Sequence, residues 1–97
     1  MRKDITIENL IKKLKQKMSI DDLEIVDYWD ADLCAIGLKK GNKLIYINTF
    51  NSLPSRPVYD YDLEILTNKI DKFQVIKKAR RVTEEEIIKA VKEFFDI

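Results

Sequence analysis

Asp27-Tyr28-Trp29-Asp30-Ala31-Asp32-Leu33-Cys34-Ala35-Ile36-Gly37-Leu38-Lys39-Lys40-Gly41-Asn42-Lys43-Leu44-Ile45-Tyr46-Ile47-Asn48-Thr49 is the stretch whose reading decides the fold. It holds the only tryptophan, the only cysteine and both glycines of the chain. Residues 33–38 form an apolar run without alternation, too short and too bounded for a helix, which fits a strand covered on both faces. Gly41-Asn42 supplies the positive φ that a tight hairpin wants, and residues 43–50 return as the partner strand. The stretch therefore reads as a β-hairpin approached through an acidic, aromatic turn.

Upstream of it, residues 19–22 are a short polar turn and residues 23–28 a strand, with Leu23 and Ile25 on one face and Glu24, Val26 and Tyr28 on the other. Residues 5–18 read as a helix. Ile7, Leu10, Ile11, Leu14 and Met18 fall on one side of it, and Thr6 or Asp4 serves as N-cap. Lys12, Lys13, Lys15 and Lys17 suit the negative end of that helix dipole, and read either as a solvated face or as a contact for an acidic partner.

Downstream, residues 51–57 (Asn-Ser-Leu-Pro-Ser-Arg-Pro) form a loop, expected to be the most mobile segment. Residues 58–66 alternate cleanly. Tyr59, Tyr61, Leu63 and Ile65 share one face, and Asp60, Asp62 and Glu64 the other. Residues 67–72 read as a turn or a helical turn. Residues 73–78 are a further strand, crowded at its end by Lys77, Lys78, Arg80 and Arg81. Thr83-Glu84-Glu85-Glu86 has the capping-box pattern and opens a helix to about Phe95, with Ile87, Ile88, Val91, Phe94 and Phe95 as its apolar face. The order α-β-β-β-β-(β)-α gives one α+β domain over residues 1–97. It is an antiparallel sheet of four to five strands, with an N-terminal and a C-terminal helix packed on one face.

Composition narrows the function classes. Ninety-seven residues bury roughly 60–70% of the surface that the unfolded chain exposes, enough for one core but not for a deep enclosed cavity as well. Eighteen basic residues against seventeen acidic ones give a net charge of +1, which argues against a dedicated nucleic-acid binder. One cysteine cannot form an internal disulfide. No apolar run is long enough to span a bilayer. Asp4, Glu8, Asn9 and Lys12 interrupt any signal-peptide core, so the cytoplasm is the expected compartment. The absence of histidine removes the commonest general base and the commonest metal ligand, and with it Ser-His or Cys-His activation within this chain.

Four constellations invite chemistry. Asp27, Asp30 and Asp32 suggest a calcium loop, but their spacing lacks the EF-hand order, and turn-forming Asp bonds to backbone N–H groups explain them more simply. Asp60, Asp62 and Glu64 are about 6.6 Å apart along the strand. On an open sheet face they form a field rather than the paired carboxylates of a glycosidase cleft. They read as a solvated, edge-guarding surface or as a stripe that attracts a basic partner. Trp29 reads as core packing or an interface anchor, and Cys34 as an inert small hydrophobe. The helix and strand order also suits a double-stranded-RNA-binding module, yet Glu84, Glu85 and Glu86 would repel phosphate at the second helix.

Tyr28 to Leu38, then Leu44-Ile45-Tyr46-Ile47-Asn48-Thr49, then Tyr59-Asp60-Tyr61-Asp62-Leu63-Glu64 together resemble small immunity proteins of bacterial polymorphic-toxin systems, including contact-dependent growth inhibition. The resemblance implies a cytoplasmic protein without a reaction of its own. Such a protein binds one cognate toxin domain, often a nuclease, and blocks its active site or an adjacent surface. On that reading Asp60, Asp62 and Glu64 are the first candidates for the toxin-facing surface, and Trp29, Asp30 and Asp32 the second. No enzyme activity, cofactor, metal, nucleic acid or membrane is expected. The alternative is a structural or regulatory module that forms a homodimer through a sheet edge.

Overall fold

The computed structural model describes residues 3–28, 31–53, 55–67 and 72–97. Helix α1, Ile5–Lys17, begins at Asp4, whose carboxylate accepts the Thr6 N–H at 3.1 Å. Of the two capping candidates Asp4 takes the role, and the Thr6 side chain bonds to it as well. The Thr6 hydroxyl and then the Thr6 backbone N–H hold the Asp4 carboxyl below its ordinary pKa. Ile7, Leu10 and Leu14 are fully buried, at the i, i+3, i+7 spacing that puts them on one stripe. Lys12, Lys13, Lys15 and Lys17 are exposed.

Five strands follow: β1 Glu24–Val26, β2 Ala35–Lys40, β3 Lys43–Asn48, β4 Tyr59–Thr67 and β5 Lys72–Val82. They pair antiparallel in chain order β1-β2-β3-β4-β5. The central hairpin is as the sequence predicts. Lys40 pairs with Lys43, and Gly41 turns the chain at φ 59°, a backbone conformation that glycine adopts without steric cost. β1 is shorter than the strand expected over residues 23–28. Its Ile25 lies level with Leu38 yet is 39% exposed at the sheet edge, whereas Val26 is buried. Leu33, expected to begin the next strand, precedes β2 and is exposed. The fifth strand, bracketed in the sequence reading, is the longest at 11 residues. Of the turn expected over residues 67–72, Thr67 and Lys72 are instead a strand pair of β4 and β5, and residues 68–71 lie outside the described residues.

The register explains which face is sealed. Ile36, Ile47, Tyr61 and Ala79 stand level across β2 to β5, and Leu38, Ile45 and Leu63 form the next row. These side chains make one cluster with Ile7, Leu10 and Leu14 of α1 and with Ile87, Val91 and Phe95 of the second helix. Both helices therefore cover the same face. Helix α2, Glu84–Phe95, opens with the full capping box: the Glu86 N–H donates to Thr83 Oγ1 at 3.2 Å, and the Thr83 N–H donates to Glu86 Oε1 at 3.1 Å. Lys43 ties its far end to the sheet, donating to the Phe94 carbonyl at 2.9 Å and standing 5.5 Å from the centre of that ring.

Two polar contacts fix the start of α1. Thr6 and Thr49, both buried, share a hydroxyl bond of 2.6 Å, and the Asp4 N–H donates to the Leu33 carbonyl at 2.9 Å. Residues 51–57, a bare loop in the sequence reading, contain an isolated bridge between Leu53 and Arg56, and Ser52 Oγ accepts the Val58 N–H. Pro54 lies outside the described residues. No described helix is long and apolar enough to cross a membrane.

Candidate functional site

The alternation of β4 places its carboxylates on the face opposite the helices. Asp60 is level with Asn48, Asp62 with Tyr46, and Glu64 with Leu44. The three acids are half-buried. Neither described helix lies over this face. Tyr46 and Asn48 join the stripe on its β3 side, where Asn48 Nδ2 donates to the Tyr46 hydroxyl at 3.0 Å. The sequence reading did not single these two out. Their signal was the period-two pattern of residues 43–48, which the hairpin register turns into a shared face.

On the other side β5 answers the acids. Arg80 Nη1 donates to Asp62 Oδ1 at 2.9 Å and to the Tyr61 carbonyl at 3.2 Å. The Arg81 N–H donates to Asp60 Oδ1 at 2.9 Å. Arg81 holds φ 55°, a left-handed conformation uncommon outside glycine, within an irregularity where Tyr59 pairs with Val82 and Tyr61 with Ala79. The extra residue on β5 lets a backbone N–H reach the Asp60 carboxylate. From the basic run that crowded the end of the predicted strand, Arg80 thus supplies a counter-charge to Asp62 and Arg81 a backbone N–H to Asp60, and the strand continues to Val82.

The three acids are not equivalent. Asp60 and Asp62 each have one oxygen engaged. The Glu64 carboxylate has no hydrogen bond or ion pair among the described residues. Burial, and then the neighbouring Asp62 charge, push the Glu64 carboxyl above its ordinary pKa. A carboxylate that is half-buried and unpaired has the most to gain from a cation brought by another molecule.

The acidic turn before β2 is organised differently. Lys3 is buried, and its ammonium donates to Asp27 Oδ1 at 2.7 Å and to the Asp32 carbonyl at 2.9 Å. Asp32 Oδ1 accepts the Cys34 N–H at 3.0 Å, the turn-forming bond expected of it. The turn therefore holds a cation of the chain itself, a contact the sequence reading missed because the residues are 24 apart. Trp29 and Asp30 lie outside the described residues. Among those described, no group of three or more Cys, Asp or Glu side chains could hold a metal ion. Cys34 is a half-buried free thiol.

A groove of about 310 Å³ opens on the helix side between α1, residues 51–57 and the start of α2, lined in part by Asn9, Lys12, Gln16, Leu53, Tyr59 and Glu84. Burial, reinforced by Glu84, raises the Tyr59 hydroxyl pKa, which keeps it a proton donor. No family model, curated protein or solved structure matches this chain.

Proposed function

We propose that this chain is an immunity protein that neutralises a cognate bacterial toxin domain, a nuclease by first expectation, through protein–protein contact and without a reaction of its own. The observation that carries the reading is the uncovered sheet face on which half-buried Asp60, Asp62 and Glu64 stand beside Tyr46 and Asn48. A nuclease must contact phosphate, so its cleft is basic. A fixed row of carboxylates beside an aromatic side chain offers such a cleft charge for rapid capture and apolar surface for retention. Glu64 is the strongest candidate, because its charge is the least compensated of the three. The resemblance of residues 28–38, 44–49 and 59–64 to small immunity proteins points the same way.

The test is to co-express the chain with any growth-inhibiting domain encoded in the adjacent reading frames. Growth should be rescued by the chain and by Glu64→Gln in part, but not by Glu64→Lys, while circular dichroism shows each variant folded. Reversing Asp60 or Asp62 is a poorer probe, since it also breaks bonds to Arg81 or Arg80. Full rescue by a folded Glu64→Lys would remove this face from the interface. Adjacent products that neither inhibit growth nor bind the chain would remove the toxin reading itself.

A further inference from the structure

The two edges of the sheet are protected unequally. β1 offers only three residues, and its shortness blunts that edge. β5 is the longest strand and is paired on one side only, to β4. Along residues 72–78 no described hydrogen bond covers its outer edge; the Thr67 hydroxyl donates to the Lys72 carbonyl from β4, on the paired side. Val75 is 40% and Ile76 57% exposed there. Ile76 is the extra residue where the register shifts, with Glu64 opposite Val75 and Leu63 opposite Lys77.

The strand is also basic throughout. Lys72, Lys77, Lys78, Arg80 and Arg81 lie on it and no acidic residue does. Arg80 is paired with Asp62, whereas Lys72, Lys77, Lys78 and Arg81 have no side-chain ion pair among the described residues. Lysines guard an edge by repelling a strand of like charge. A second copy is such a strand: antiparallel pairing about a two-fold axis at Val75 or Ile76 sets Lys72 opposite Lys78 or Arg80, and like charges directly opposite destabilise a sheet. The same lysines attract a strand of opposite sign. Beside this edge, on the helix side, lies a groove of about 410 Å³ with Leu63, Ala90 and Phe94 in its lining and Lys77 at its β5 side, near Lys89 and Glu93. α2 packs over β3 and β4, so this groove is continuous with the edge.

We propose that the outer edge of β5 takes up an extended acidic segment of a partner protein as a sixth antiparallel strand. Backbone hydrogen bonds to residues 72–78 hold the segment. Its carboxylates lie on the helix side against Lys72 and Lys77, level with Thr67 and Leu63, and its apolar side chains lie on the open side beside Val75, level with Glu64. A strand of that length spans about 23 Å. The outer edge of β5 lies beyond the β4 carboxylates and carries lysines of opposite sign, so the proposal stands or falls apart from the toxin-binding reading.

The probe is a short fluorescent peptide alternating glutamate and valine. Its controls are the same peptide N-methylated at alternate amides, its lysine–valine counterpart and a single-stranded oligonucleotide. The full chain should bind the acidic peptide saturably, more weakly at high salt, and slow amide exchange across residues 72–78. The double variant Ile76→Glu/Lys77→Glu should lose tenfold or more in affinity at unchanged Tm. If that variant loses its fold, Lys72→Glu alone, at the far end of the strand, serves with the same expected direction. Equal binding of the methylated peptide, binding that survives a folded variant, or capture of the oligonucleotide but not the peptide would overturn the proposal. So would a concentration-dependent dimer by sedimentation with residues 72–78 protected, since a second copy would then occupy the edge.

Discussion

The two faces of the sheet are written by the same strands and differ in what seals them. At one level the helix side carries Ile36, Ile47 and Tyr61, buried beneath α1 and α2. One residue along, the other side carries Gly37, Tyr46, Asp62 and Lys78 with no described helix above them. The first face is closed by apolar packing, the second by side chains satisfying one another in the plane of the sheet. A slip of one residue in β4 would drive three carboxylates under the helices and lift two tyrosines out, so the chemical contrast between the faces itself pins the register.

The largest expected effect breaks or upholds that contrast directly. Ile47 is fully buried against the helices, and Ile47→Ala should cost about 2–5 kcal/mol, because the packed layer cannot collapse onto the gap. Leu44 is almost as inaccessible, at 2%, but it lies on the open face. Its neighbours there include the long side chains of Lys39 and Glu64, in the same row. These can settle into the space left by Leu44→Ala, which should cost about 1–2 kcal/mol, mostly the transfer of the lost methylenes. Urea unfolding of both variants measures the difference. Equal costs would mean the open face is as tightly sealed as the other.

The helix-side face was legible in the sequence because each of its signals is local. The stripe of Ile7, Leu10 and Leu14, the Gly41-Asn42 turn, the alternation of β4 and the Thr83–Glu86 box each lie within a few residues, and each is found in place. The open face was legible only along β4. Its other members come from different strands: Tyr46 and Asn48 by the β3–β4 register, and Arg80 and Arg81 by an irregular β4–β5 register. Alternation predicts which residues of one strand share a face, but not which row of the next strand they meet, and a bulge changes that row midway. The Lys3–Asp27 pair was hidden for the same reason, since no periodicity links a residue before a helix to a turn after a strand.

The capping box sharpens the comparison from the helix side. Thr83→Ala removes the acceptor of the Glu86 N–H and should lower stability by about 1 kcal/mol, read as a shift in the urea midpoint. Because α2 covers only one face, amide exchange should quicken in α2 and at Tyr61 before it changes at Tyr46. On the open face, Asp62→Asn weakens the contact with Arg80, whose side chain is 49% exposed. Solvent screens such a pair, so the loss should be about 0.2–1 kcal/mol and should shrink in high salt. A cost well above that range would mean Arg80 anchors β5 rather than decorating it.

The smallest effect has the opposite sign. Burial and then Asp62 raise the Glu64 carboxyl in the folded chain above its unfolded value. The folded state therefore binds this proton more tightly, and the stabilisation from that proton is complete below the unfolded value of 4.5. It is lost as pH rises through the folded value, leaving an ionised Glu64 as a net cost at neutral pH. Glu64→Gln keeps the shape and removes the charge, so calorimetry at pH 7 should find the variant slightly more stable. The gain should fade as the pH is lowered and Glu64 takes up its proton. A variant less stable at pH 7 would mean that the Glu64 charge is already compensated within the fold. A variant more stable at pH 7 but weaker in rescuing growth would tie the cost of that charge to what the open face binds.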